Sequence, residues 1–202
     1  MKSGVIDSIV FVINAIYTFT FANSCFLLLQ DPSLGSFSLA NVKLNFEAVT
    51  CGLILITLTS RYFFGNNIFI NDVFGDQKKN ALVRLFHFST VALQGAILLL
   101  ASFEVRHTEN FLLMVSALFF LEFFWFTACH WLDADCVSQA SKRENYLSWG
   151  FQLYGVIIAL ILIYVSNQGI AISSWHITLV FFLFTVETVV DFRENLSKYM
   201  GL

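Results

Sequence analysis

Apolar residues occupy the chain in six long runs, separated by polar or turn-forming segments. Each run is close to the roughly 20 mostly apolar residues that an α-helix needs to cross a bilayer. The pattern therefore predicts an all-α integral membrane protein with one transmembrane domain over residues 1–202. We predict a bundle of about six spans, near residues 5–29, 44–64, 81–103, 110–131, 147–165 and 170–192.

The connections between the predicted spans carry turn signals. The first contains "QDPSLGSFS", which includes Pro32, the single proline of the chain, and the fifth is a tight "NQG" turn. The second connection, "RYFFGNNIFINDVFGDQKK" at residues 61–79, is long and aromatic. We expect it to form an interfacial amphipathic segment or a short re-entrant turn.

Composition supports membrane insertion. Hydrophobic residues make up 57% of the 202 residues and charged residues 12%, with a mean hydropathy of +0.74. A soluble domain of this length carries about a quarter charged residues. The apolar excess must therefore face lipid.

The positions of the lysines and arginines predict the orientation. With six spans, two basic residues, Lys43 and Arg106, lie opposite the termini. The other nine lie on the side of both termini: Lys2, Arg61, Lys78, Lys79, Arg84, Lys142, Arg143, Arg193 and Lys198. Basic residues near span ends stay in the cytoplasm, so both termini are predicted to be cytoplasmic.

Glu122 lies inside the apolar run "FFLEFFWF", residues 119–126. A charge at the bilayer centre costs about 3 kcal/mol on insertion scales, so such residues face the bundle interior or a wet cavity. In the predicted orientation four more ionisable residues share its cytoplasmic half: Arg84, His87, Glu187 and Asp191. We predict that all five line a polar vestibule that opens to the cytoplasm.

Two structural explanations of these ionisable residues are alternatives to the vestibule. The ionisable residues near helix ends, Arg61, Arg84, Glu187 and Asp191, can extend into the interface instead of lining a cavity. Glu122 can serve a purely structural hydrogen bond, and burial favours its neutral, protonated form.

The first span carries a polar stripe of its own. Asp7, Asn14, Thr18 and Cys25 are spaced seven, four and seven residues apart, which places them on one helix face that we expect to avoid lipid. The stripe either lines an aqueous path between several subunits or bonds to neighbouring helices at about 0.6 kcal/mol per contact.

The sequence gives only weak signals for a catalytic or cofactor-binding site. The four cysteines form no CxxC pair, and the chain has no phosphate-binding glycine loop, nucleophile elbow or HExxH motif. We predict that the protein is not an enzyme and has no metal or cofactor. An alternative is a haem-binding membrane redox protein, which needs two facing histidines at one depth, here His87 and His130.

The layout, the segment "RYFFGNN" and the ending "DFRENLSKY" resemble small multi-pass membrane effectors of bacterial antiphage defence, of the Hailong type. The resemblance implies an oligomeric ion channel in the bacterial inner membrane. It also implies a partner nucleotidyltransferase, encoded nearby, whose nucleic-acid oligomer restrains the channel. The cytoplasmic basic residues are then candidates for the ligand phosphates: Arg61, Lys78, Lys79, Lys142 and Arg143.

The function expected from the sequence is a homo-oligomeric channel that is gated from the cytoplasmic side and controlled by a ligand. The alternative is a proton-coupled transporter in which Glu122, Glu187 and Asp191 change protonation during the cycle.

Overall fold

The computed structural model describes residues 3–29, 46–75, 81–132, 150, 153–158, 160–161, 163–165, 168 and 174–200. Five long helices cover most of this part of the chain: α1 (Ser3–Leu29), α2 (Phe46–Gly75), α3 (Ala81–Phe103), α4 (Thr108–Leu132) and α5 (Ser174–Met200). An apolar helical stretch, Leu153–Val165, lies between α4 and α5 in the sequence. The described residues contain no strand, and for them the all-α prediction is confirmed.

Three helical segments are long and apolar enough to cross a membrane: Glu47–Asn66, Ala81–Phe103 and Thr108–Ala128. Three shorter apolar segments accompany them in the described residues: Val10–Phe26, Leu153–Val165 and Ile177–Val190. Large apolar side chains are exposed on the exterior of the helices, among them Phe11, Phe124 and Phe182. These features support membrane association, while the number of six spans stays a prediction.

α2 continues beyond the predicted second span. It remains helical through Gly75 and includes the glycine and asparagines of "RYFFGNN". The re-entrant turn that we allowed for this segment is therefore wrong over residues 61–75. The remaining residues of the connection, 76–79, lie outside the described part of the chain.

The bundle is organised around α2, which packs against α1, α3, α4 and α5. α1 also packs against α3, and two contacts show that these helices run parallel. Near their ends, Asn23 Nδ2 donates a 2.8 Å hydrogen bond to Ser102 Oγ. Nearer the middle, a Cβ added to Gly95 would lie 3.2 Å from Ile16 Cγ2, so the glycine lets the two helices approach closely.

A short turn makes α3 and α4 antiparallel neighbours. The Glu104 carboxylate accepts a 3.0 Å hydrogen bond from Asn110 Nδ2 and lies 3.1 Å from His107 Nδ1. Within the same turn, the backbone N–H of His107 donates to the Glu104 carbonyl. The hairpin brings the beginning of α3, which carries His87, beside the end of α4, which carries Trp125.

Aromatic packing joins α4 to α5 and to the stretch Leu153–Val165. The buried rings of Phe119 and Phe184 stack with centroids 5.0 Å apart and planes 9° apart. Gly155 lies against Phe119, since a Cβ added there would be 2.7 Å from Cδ1 of that ring. The fifth apolar run therefore packs on the bundle through a glycine.

Candidate functional site

Three polar side chains from three helices meet inside the bundle: Tyr17 of α1, Asn66 of α2 and Gln94 of α3. The Asn66 amide nitrogen donates to the Tyr17 hydroxyl at 2.6 Å and to Gln94 Oε1 at 3.1 Å. Their exposed fractions are 1%, 5% and 1%. Asn66 thus connects all three helices away from solvent.

Three further side chains complete the site: His87 of α3, and Glu122 and Trp125 of α4. Glu122 is buried, with 7% of its surface exposed. Trp125 Nε1 donates a 3.0 Å hydrogen bond to Nδ1 of the buried His87. An indole N–H can only donate, so the neutral His87 ring carries its proton on Nε2. We call the six residues Tyr17, Asn66, His87, Gln94, Glu122 and Trp125 the polar core.

Tyr17 reaches the polar core because it lies on the buried face of α1. That face is formed by Ile13, Tyr17, Thr20 and Ser24, each at most 2% exposed. The hydroxyls of Thr20 and Ser24 donate to the carbonyls of Ile16 and Thr20, at 2.9 and 2.6 Å. Because both hydroxyls bond to backbone carbonyls within α1, these short side chains can be buried at a close helix contact without losing a hydrogen bond.

Gln94 is only partly satisfied. Its Oε1 accepts from Asn66, whereas its buried Nε2 has no hydrogen-bond partner among the described residues. A buried donor without an acceptor costs about 1–3 kcal/mol. The polar core therefore contains a donor that can bind an acceptor not supplied by the described side chains.

The structure brings two of the predicted vestibule residues, His87 and Glu122, into the interior. Arg84, one turn before His87 on α3, is half-buried. Asp7, Glu187 and Asp191 lie on α1 and α5, but their side chains are outside the described part of the chain. The vestibule itself stays a prediction.

The predicted polar stripe does not form the buried face of α1. Asn14 and Cys25 are half-buried and flank that face, whereas Thr18 is exposed in the single chain. Exposure in a single chain does not distinguish a lipid-facing Thr18 from one that faces another subunit, so the expectation that the stripe avoids lipid stays a prediction. The spacing of polar residues predicted Asp7, Asn14, Thr18 and Cys25 for one face. The buried face instead contains Thr20 and Ser24, whose hydroxyls bond to backbone carbonyls of α1.

The predicted ligand and haem residues are described only in part. Arg61 is half-buried on α2, while Lys78, Lys79, Lys142 and Arg143 lie outside the described residues. Of the two histidines weighed for haem, His87 bonds to Trp125, and the side chain of His130 is not described. In the described residues, no group of three or more His, Cys, Asp and Glu side chains is placed to hold a metal ion.

Sequence reasoning missed four members of the polar core: Tyr17, Asn66, Gln94 and Trp125. A signal existed for Gln94, which is a lone amide inside an apolar span and so a candidate for an interior polar contact. Asn66 stands in a "GNN" sequence that is typical of a loop. Tyr17 and Trp125 cannot be distinguished in sequence from aromatic residues that face lipid.

Comparison of the chain with protein-family models, with curated proteins and with solved structures gives no match.

Proposed function

We propose that the protein is a homo-oligomeric membrane channel, gated from the cytoplasmic side, and that the polar core is a closed section of its ion path. The observation that supports this proposal is the polar core itself, in which four helices place five buried side chains and the half-buried Trp125 behind an apolar exterior. Ionisable residues within membrane helices are costly, and they mark ion pathways and proton relays.

The contacts within the polar core suit a closed state. Asn66 bonds to Tyr17 and Gln94, so the polar groups are turned towards one another. α1 supplies only Tyr17 to the core, and in the channel it is the helix that moves. Displacing α1 breaks the bond between Tyr17 and Asn66 and makes the amides accessible to water.

The free energy of this bond is similar to the free energy that a bound ligand can add to one of the two states. Hydrogen bonds between membrane helices contribute about 0.6 kcal/mol on average and at most about 1.7 kcal/mol. A restraining ligand that binds the closed state tenfold more tightly than the open state shifts the equilibrium by about 1.4 kcal/mol. Gating therefore requires only a modest difference in affinity between the two states.

Two features of the sequence support control of the channel from the cytoplasm. The basic residues Arg61, Lys78, Lys79, Lys142 and Arg143 and the resemblance to antiphage effectors favour a nucleotide or nucleic-acid oligomer made by a partner enzyme. Such a polyanion binds less tightly as salt rises, because binding releases counterions.

One observation favours a proton-coupled transporter as a second candidate. Glu122 and His87 can both change protonation, and both are buried within one chain. A coupling site in a transporter is normally contained in this way, near the middle of the membrane. A channel pore formed between subunits needs no such interior pair.

Tyr17→Phe tests the channel in proteoliposomes. The substitution keeps the ring and removes the hydroxyl that accepts from Asn66, so the closed state loses one interhelical hydrogen bond. For a loss of about 1 kcal/mol, the open fraction and the potassium flux should rise about fivefold. Tyr164→Phe is the matched control, because Tyr164 is 63% exposed on the exterior.

Two results would decide against the channel. Absence of potassium and proton flux from both the wild type and Tyr17→Phe, at verified insertion, would reject it. A proton flux that depends on a second transported solute, without single-channel currents, would place the transporter first.

A further inference from the structure

The contact between Trp125 and His87 depends on the protonation state of the histidine. Trp125 Nε1 lies 3.0 Å from His87 Nδ1, and the two rings meet edge to face at 90°, with their centroids 6.1 Å apart. The indole nitrogen has a hydrogen to donate and accepts none. The hydrogen bond therefore exists only while His87 Nδ1 carries no proton.

A second proton on the His87 ring is incompatible with this contact. In the imidazolium form both ring nitrogens are donors, so two N–H groups would point at one another where the structure has a donor and an acceptor. His87 is also buried, with 1% of its surface exposed, and a charge there loses its hydration. Protonation thus breaks the bond between α3 and α4 and favours a conformation in which His87 reaches water.

Two other ionisable side chains of the described residues lie on the same parts of α3 and α4. Arg84 lies one turn before His87, and Glu122 lies one turn before Trp125. A nearby cation opposes a charge on a histidine and a nearby carboxylate favours it, so the two effects partly cancel. α1 and α2 also pack against α3 and carry Asp7 and Asp72, whose side chains lie outside the described part of the chain.

The pair is connected to the rest of the polar core through α4. Glu122 and Trp125 are three residues apart, which places them on one face of the helix. Trp125 is half-buried and Glu122 is buried. Moving this part of α4 away from α3 therefore moves the Glu122 carboxylate as well, and it makes the polar core accessible from the α4 side.

We propose that the pair of His87 and Trp125 is a pH-sensitive switch of the polar core. A histidine exposed to water has a pKa of about 6.5, so above that pH the ring is neutral and its bond to Trp125 holds α4 against α3. The contribution of the bond to stability is fully present there, and it is lost progressively as the pH falls below this value. In the proposed channel, on which only the flux measurement below depends, acidification then raises the open fraction.

The first measurement observes the pair directly and does not assume a channel. The full chain, with isotope-labelled histidine, is placed in lipid nanodiscs, and the ring nitrogens are followed by NMR from about pH 7.5 to about pH 5.5, an interval centred on the ordinary pKa of histidine. The signals missing in His87→Asn identify His87. They should report the Nε2–H tautomer at the higher pH and imidazolium at the lower. An Nδ1–H tautomer, or a single protonation state over the whole interval, overturns the proposal.

The second measurement is potassium flux from proteoliposomes at the same two pH values. One histidine with an ordinary pKa changes an equilibrium by at most about tenfold over this interval, so the wild-type flux should rise by up to about tenfold on acidification. His87→Asn places an amide oxygen near the position of Nδ1, where it accepts from Trp125 but is not protonated, so its flux should not respond to pH. His107→Asn is the matched control, because His107 lies exposed in the turn between α3 and α4, and it should keep the wild-type response.

The two measurements separate failure of the switch from failure of the channel. The same pH response of the flux in the wild type and in His87→Asn overturns the switch. The expected tautomer and titration of His87, together with no flux from any variant at verified insertion, support the switch and reject the channel instead.

Discussion

Gly155→Ala tests whether the stretch Leu153–Val165 packs in the bundle as the structure describes. The added Cβ would lie 2.7, 3.1 and 3.2 Å from Cδ1, Cγ and Cε1 of Phe119. Phe119 is itself buried and stacked on Phe184, so its ring has little room to move away. The substitution must therefore displace either the stretch or the stacked pair.

The magnitude follows from two opposed effects. Alanine improves helix propensity over glycine by about 1 kcal/mol. Overpacking a well-packed interior costs about 1–3 kcal/mol. Gly65→Ala is the matched control, because a Cβ added to this helical glycine meets no atom within 4 Å. The control keeps the propensity gain without the clash, so the two variants should differ by about 1–3 kcal/mol in the free energy of unfolding.

The assay compares apparent unfolding midpoints of both variants in the same detergent. For a chain of this length, 1 kcal/mol corresponds to about 2–4 °C, so Gly155→Ala should unfold at least 2 °C below Gly65→Ala. Adding Phe119→Leu to Gly155→Ala should recover part of the difference, because the smaller side chain removes the clash. A midpoint for Gly155→Ala equal to or above that of Gly65→Ala would refute this packing.

Two further predictions concern the path and the orientation. Glu122→Gln keeps the shape of the buried side chain and removes its charge, so it should insert and assemble normally but alter ion selectivity or gating. Wild-type currents at every pH would exclude that role, and Glu109→Gln, at an exposed position in the first turn of α4, is the control. Reporters fused after Leu202 and within residues 142–145 should report the cytoplasm and a tag near Ser36 the outside; an external C-terminus would reverse the proposed orientation.

The positions of the helices could be predicted because apolar run length depends directly on the chain's hydrophobicity. The third predicted span, 81–103, coincides with α3, Ala81–Phe103. The end of α2 could not be predicted in the same way. Gly65 and Asn66 are typical of a turn, but α2 continues through them to Gly75, and the Asn66 side chain bonds to Tyr17 and Gln94 of neighbouring helices.

The sequence predicted only those members of the candidate site whose side chains are energetically costly inside a membrane span. Glu122 and His87 were predicted because an ionisable group inside a membrane span is costly and usually has a functional or structural partner. The bonds between Tyr17, Asn66 and Gln94 depend on the relative rotation of three helices, which no single hydrophobic run specifies. The rotation of α1 is set by close contacts such as Ile16 against Gly95, and a polar stripe in the sequence does not reveal them.

The energetics of the polar core favour a functional origin over a stabilising one. The bonds of Asn66 to Tyr17 and Gln94 contribute about 0.6 kcal/mol each, whereas the Gln94 Nε2, which has no partner among the described residues, costs about 1–3 kcal/mol. The balance is close to zero or unfavourable. Apolar side chains of similar size would pack these positions without that cost, as replacement of buried polar groups often demonstrates. The contacts of Gly95 with Ile16 and of Gly155 with Phe119 supply close packing instead. This balance supports the proposal that the polar core serves the proposed channel rather than the stability of the bundle.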